Sequence, residues 1–195
     1  MLFLASMLLS FSGILSMPKI TITWPRNEDS SASYVPKWPI QSGWQLVMVY
    51  IGSSTCAASN LDIVPPAVER ARLTLAKHAT AAGWSFSTIG IAVDWDAHQG
   101  IEHLRAQGTF DEMIAGNNWI NLGVLRYVWE EVPGHPATPS IVVLARKLQI
   151  DTVGVSIRVE REHLLARNVG ADVIKRWTER GAPVPDLATV IHSDP

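Results

Sequence analysis

The stretch from Trp44 to Asn60 reads WQLVMVYIGSSTCAASN, and the rest of the chain is organised around it. Residues 45–51 are nearly all apolar and β-prone, and Gly52 stops the run at once. So continuous an apolar run suits a strand buried on both faces better than a half-exposed one. Ser53, Ser54 and Thr55 then offer three N-caps, and Cys56 falls where a helical turn should begin. Unpaired backbone N–H groups at such a terminus stabilise an anion, so a thiolate is favoured there. The local reading is strand, short loop, and a cysteine at a helix start.

Downstream, Pro65-Pro66 interrupts any helix begun at Cys56, since proline removes a donor and clashes inside a helix. The same pair suits the start of a long helix over 67–82, with Val68, Ala71, Leu75, Ala79 and Ala82 as its apolar stripe. Residues 84–94, WSFSTIGIAVD, alternate and then become continuously apolar, which predicts a second central strand. A crossover this long between two strands implies parallel pairing and a right-handed unit. Residues 97–107 form the next helix, 110–115 extend it or begin another, and 117–131 turn helical from about Leu122. The motif Gly134-His135-Pro136-Ala137-Thr138-Pro139-Ser140 leads into an apolar strand over 141–145. Residues 147–149 read as a turn, 152–159 alternate as an outer antiparallel strand, and 161–180 read as a final helix. Leu164, Leu165, Val169, Val173, Ile174 and Trp177 would share one face of it.

Taken in this order, the landmarks resemble the thioredoxin-like superfamily, over about residues 44–180. The resemblance implies an α/β fold: a thioredoxin-like sheet flanked by helices, here with a helical insertion before residue 134. It also implies that Thr138-Pro139 is a cis-proline pair facing the cysteine corner and shaping a groove for an extended substrate, with His135 nearby. In the family the redox motif is Cys-x-x-Cys, and this chain reads Cys56-Ala57-Ala58-Ser59. Cys56 is the single cysteine, so it forms no disulfide within the chain. Ser59, one turn on, can hydrogen-bond a thiolate but cannot attack a mixed disulfide. An aromatic residue beside the cysteine, a buried acid in the strand before it, and the peroxiredoxin spacing of proline and threonine are all missing.

The remaining sequence adds two extensions. Residues 1–18 carry no charge and are mostly Leu, Met, Phe and Ile between 2 and 17. This is slightly short for a membrane span of about 20 residues, and it lacks the basic start and cleavage site of a signal peptide. It reads as a membrane anchor or signal-like segment, with an amphipathic arm or a translation start at Met17 as the alternatives. Residues 19–43 hold Pro25, Pro36 and Pro39 with Trp24 and Trp38, which reads as a linker arm docked through its tryptophans. Residues 181–195 read as a tail. Net charge is −2 with no block of like charge, which argues against a nucleic-acid backbone as partner.

One other grouping carries less. Asp94, Asp96, His98, Glu102 and His103 cluster at a strand end, but the five-residue step between the histidines does not align them on a helix. Polar capping accounts for that cluster better than a metal does, and the chain offers no hydrolase elbow or phosphate loop. Two functions follow from the whole. One is a non-catalytic thioredoxin-like module that binds or scaffolds a membrane-associated protein complex, which the missing second cysteine, the apolar N-terminus and the Trp-bearing arm favour. The other is a monothiol oxidoreductase acting through Cys56 and Ser59, with glutathione or a partner thiol completing the cycle and no other cofactor. The apolar run places the domain at a membrane, more on its extracytoplasmic side, or in the cytoplasm if translation starts at Met17. Fractionation of the full chain and of a version starting at Lys19 tests the tether. The full chain should sediment with membranes and the short one should not; equal soluble recovery contradicts it.

Overall fold

The structure, a computed structural model, describes residues 41–130, 136–151 and 156–190. The apolar run 2–17, Trp24, Trp38 and His135 lie outside the described residues. Strand β1, Gly43–Gly52, is the centre of a five-stranded sheet. Its side chains divide as the apolar run requires. Leu46, Met48 and Tyr50 enter one core, while Val47, Val49 and Ile51 enter the other. All six are at most 1% exposed, so β1 is buried on both faces.

Helix α1, Val64–Ala81, carries Pro65 and Pro66 at its start and turns Val64, Val68, Ala71, Leu75 and Ala79 onto the first core. Proline is tolerated there because the first N–H groups of a helix have no partner to lose. Strand β2, Ser85–Ala92, then pairs parallel with β1. Helix α2, Ala97–Gln107, follows, and β3, Glu112–Ile114, adds a second parallel pair outside β2. A short helix α3, Leu122–Val124, continues as π-helical turns over Leu125–Glu130 and packs Val124, Tyr127 and Val128 on the second core. Strand β4, Ser140–Asp151, runs antiparallel to β1, and β5, Ser156–Val169, antiparallel to β4. Helix α4, Ala171–Glu179, returns Ile174 and Trp177 to the first core, and α5, Leu187–Val190, ends the described chain.

The strand order is β3-β2-β1-β4-β5, parallel on one side of β1 and antiparallel on the other, with helical segments on both faces. This is a thioredoxin-like α/β fold. The edge beyond β2 is filled by β3, which comes from the segment inserted after α2.

Four expectations are corrected. Residues 110–115 do not continue a helix: Phe110 packs against Gly90, where a Cβ would meet its ring at 2.9 Å, and 112–114 pair with β2. Residues 147–149 lie inside β4 rather than in a turn. The predicted final helix begins ten residues late, because 161–169 belong to β5. Helix-prone residues there are recruited by cross-strand pairing, which routinely overrides propensity. Arg146 Nε donates to Glu162 Oε2 at 2.7 Å and Arg146 Nη2 to the Tyr127 hydroxyl at 2.7 Å, while Lys147 meets Glu160 at 3.0 Å. Gly170, at φ 94, then makes the turn that residues with a Cβ rarely make, and α4 begins. Finally, residues 181–190 are not a loose tail: Ala182, Leu187 and Val190 are buried in the first core, and Trp177 Nε1 donates to the Pro183 carbonyl at 3.1 Å.

Candidate functional site

The site forms where β1 ends. Gly52 has no room for a side chain, since a Cβ would stand 2.5 Å from the Tyr50 hydroxyl and 2.7 Å from His103 Nε2. The chain then loops through Ser53–Ser54–Thr55 to Cys56. The helical turn expected at Cys56 is a single 3₁₀ turn, Ala57–Asn60, separate from the long helix α1 that carries Pro65-Pro66 at its start. Its donors act individually rather than as a helix terminus. Cys56 caps this turn with extended backbone, and its carbonyl accepts from the Ser59 N–H at 3.0 Å.

Asp94, just past β2, fixes the loop. Its buried carboxylate accepts from the Ser53 hydroxyl at 3.2 Å, the Ser54 N–H at 3.1 Å and the Ser54 hydroxyl at 2.6 Å. Asn60 folds its amide back onto the Cys56 carbonyl at 2.8 Å and the Ser54 carbonyl at 2.9 Å. The sequence placed Asp94 in a polar cluster without tying it to the cysteine loop. Proximity across parallel strands is the missing information. Asp96, by contrast, caps α2 through the His98 and Gln99 N–H groups, and His98 meets Glu102 on the surface at 3.2 Å.

Opposite the loop stands Thr138-Pro139, whose peptide bond is cis. The Cys56 Sγ donates to the Thr138 carbonyl at 3.4 Å. Ser59 is fully buried and accepts from the Ser53 N–H at 3.3 Å. Cys56, Ser59, Thr138 and Pro139 are thus brought together, whereas His135, Trp24 and Trp38 fall outside the described residues. A shallow groove runs past the thiol, lined by Ser53, Thr55, Cys56, Val93, Asn118, Trp119 and Thr138. Val93, Asn118 and Trp119 are its unpredicted members. Asn117 and Asn118, both at positive φ, turn the chain, and the Asn118 N–H is held by the Asp94 carbonyl at 3.0 Å. A larger apolar hollow, between the end of α1 and residues 184–188, is remote from this chemistry.

Two opposing effects act on the thiol. Burial pushes the Cys56 thiol up, because charge is costly away from water. Hydrogen bonding from the Thr138 side chain, from the Ser59 N–H and hydroxyl, and from the Ala58 N–H outweighs it and brings the thiol below its ordinary value. Cys56 is half-buried, so the sulfur keeps access to the groove.

Among solved structures, the thioredoxin domain of a thiol-disulfide oxidoreductase from Bacteroides vulgatus aligns with 70% of this chain and 78% of its own. Identity is 14% and the TM-score 0.34, so the fold rests on the strand order and pairing given above. No family model matches the chain, and no curated protein matches its sequence.

Replacing Asp94 with Ala should cost about 1–3 kcal/mol, since the Ser53 and Ser54 donors lose their buried acceptor. Urea unfolding measures the loss, and hydrogen exchange at the Ser54 amide should accelerate while that at β1 changes only with global stability. An unchanged Ser54 amide contradicts the anchoring role.

Proposed function

We propose that the protein carries out thiol–disulfide exchange through a single thiol, Cys56, on an extended polypeptide or glutathione lying along Thr138-Pro139. The observation that carries this reading is the half-buried Cys56 thiol, eased toward the thiolate by Ser59, Ala58 and Thr138 at the edge of an open groove. The thiolate attacks one sulfur of a substrate disulfide, an S–S bond forms to Cys56, and the other sulfur leaves as a thiolate. Ser59 has no sulfur to resolve that mixed disulfide. A second thiol, from glutathione or a partner, must attack it, which returns Cys56 as a thiol and leaves a new disulfide on the departing molecule. No electrons are gained or lost overall.

A second reading, a binding module for a protein partner, is favoured by a separate observation. Trp95, Ile120, Leu122 and Trp129 are 73%, 64%, 81% and 52% exposed, on segments that follow β2 and β3. Exposed large apolar side chains in such a group mark interaction surfaces more often than isolated ones do. In this reading Cys56 is a packing residue, and the apolar run at 2–17 tethers the module beside a membrane-associated partner. Among the described residues no helix is long and apolar enough to cross a membrane.

Alkylation of Cys56 against pH separates the two. The exchange reading expects a fast reaction that falls off only as pH drops through a midpoint below the free thiol value of about 8.5. Ser59→Ala should raise that midpoint, because the thiolate loses a donor. A slow reaction limited by unfolding, with Ser59→Ala leaving the midpoint in place, overturns exchange and leaves the binding module.

A further inference from the structure

The groove beside Cys56 has an aromatic wall. Trp119 lines it together with Val93, and apart from the thiol the other walls are hydroxyls and the Asn118 amide. Trp119 sits in the short 3₁₀ turn Asn118–Ile120, on the segment between β3 and α3. It is half-buried and packs on the second core. Trp129 meets it edge-on, with ring centroids 6.4 Å apart at 68°, and donates its Nε1–H to the Trp119 carbonyl at 3.1 Å. The same turn is tied to the end of β2, because the Asn118 N–H donates to the Asp94 carbonyl at 3.0 Å. Turn and indole are therefore held in place before a ligand arrives, which spares the cost of ordering them on binding.

A disulfide that meets Cys56 Sγ lays a flanking residue along these walls, and their chemistry selects it. Among the described residues that line the groove none is charged. An acidic flank finds no counter-ion there, and it meets the Asp94 carboxylate behind Ser53. A lysine flank gains little from Asp94, whose oxygens already accept from Ser53 and Ser54. It also gives up water beside Val93 and Trp119. A glycine flank leaves the indole uncovered. An aromatic flank covers it and stacks on it, which adds to the apolar area removed from water.

We propose that Trp119 is a specificity-determining residue that selects polypeptide disulfides carrying an aromatic side chain next to the half-cystine. The proposal rests on the exchange reading of Cys56 and names the substrate class of that same site. The Cys56 thiolate attacks the sulfur beside the aromatic residue. A bond from Cys56 to that sulfur forms as the substrate S–S bond breaks, and the other sulfur leaves as a thiolate with the electron pair of the broken bond. Trp119 takes no part in these bonds. It holds the flanking side chain so that the disulfide stays in line with the thiolate, and its effect falls on capture of the substrate rather than on the thiol itself. Glutathione, which carries no ring, reacts through the thiol alone.

The test follows by mass the second-order rate of mixed-disulfide formation on Cys56 of the full chain, with symmetric disulfides of acetyl-X-Cys-X-amide. X is Phe, Gly, Lys or Glu, and each rate is divided by that of the urea-unfolded chain with the same disulfide. The normalised Phe rate should exceed the Gly rate about three- to tenfold, the size that one stacked aromatic contact gives. Trp119→Leu should bring the Phe and Gly rates together, and Trp119→Phe should keep them apart. A general loss of thiol reactivity in a variant lowers both rates alike and leaves their quotient in place. Equal Phe and Gly rates in the wild type overturn the proposal, as does a Lys or Glu rate above that of Phe. A Phe preference that survives Trp119→Leu overturns it too. In each of these cases a reaction with glutathione disulfide faster than unfolding leaves exchange through Cys56 standing. If no disulfide reacts faster than the chain unfolds, both fall.

Discussion

The Asp94 carboxylate holds the site in one shape. Burying it without donors would be costly, and Ser53 and Ser54 supply them. Its position is not free to wander, because Val93 N–H bonds the Gly52 carbonyl at 2.8 Å, continuing the parallel register of β1 and β2. The backbone of the same residue accepts the Asn118 N–H and so fixes the opposite wall of the groove. Asn121 reinforces that wall, donating to the Ala92 carbonyl at 3.1 Å and capping α3 through the Val124 N–H at 2.9 Å. Loop and groove wall are therefore both referred to the end of one central strand.

Within that frame the chemistry of Cys56 is a contest between burial and hydrogen bonding. A helix terminus several turns long could have stabilised the thiolate through many aligned peptides. Here the turn is only four residues, and specific donors do that work instead. Ser59 explains why a hydroxyl can serve where a second thiol would sit. It is fully buried, accepts from the Ser53 N–H, and faces both Cys56 and Tyr50. Cys56 is the one cysteine of the sequence, so the proposed exchange would need an external thiol.

Much of the fold was legible in the sequence, for physical reasons that differ by element. Residues 45–51 and 84–94 carried runs that only a doubly buried sheet satisfies, and Pro65-Pro66 marked the start of α1. The order from Cys56 to Thr138-Pro139 gave the resemblance. Residues 161–169 misled because Glu, Leu, Ala and Arg favour helices, while their salt bridges and pairing to β4 exist only once the sheet is formed. The site was legible in its cysteine and proline and not in its supports. Asp94 reaches the Cys56 loop through parallel strand register and Trp119 reaches the groove through an inserted segment, and no local spacing encodes either. The described tryptophans divide in the same way: Trp44 and Trp84 stack at 5.2 Å against the first core, while Trp95 and Trp129 are exposed.

The proposed thiol exchange requires the folded protein to make Cys56 a better nucleophile than an unstructured cysteine. Native and urea-unfolded protein can be exposed to glutathione disulfide near neutral pH and their masses followed with time. The native chain should gain one glutathione, on Cys56, faster than the unfolded chain, and lose it again when free thiol is added. A native chain that gains glutathione only as fast as it unfolds would contradict the account.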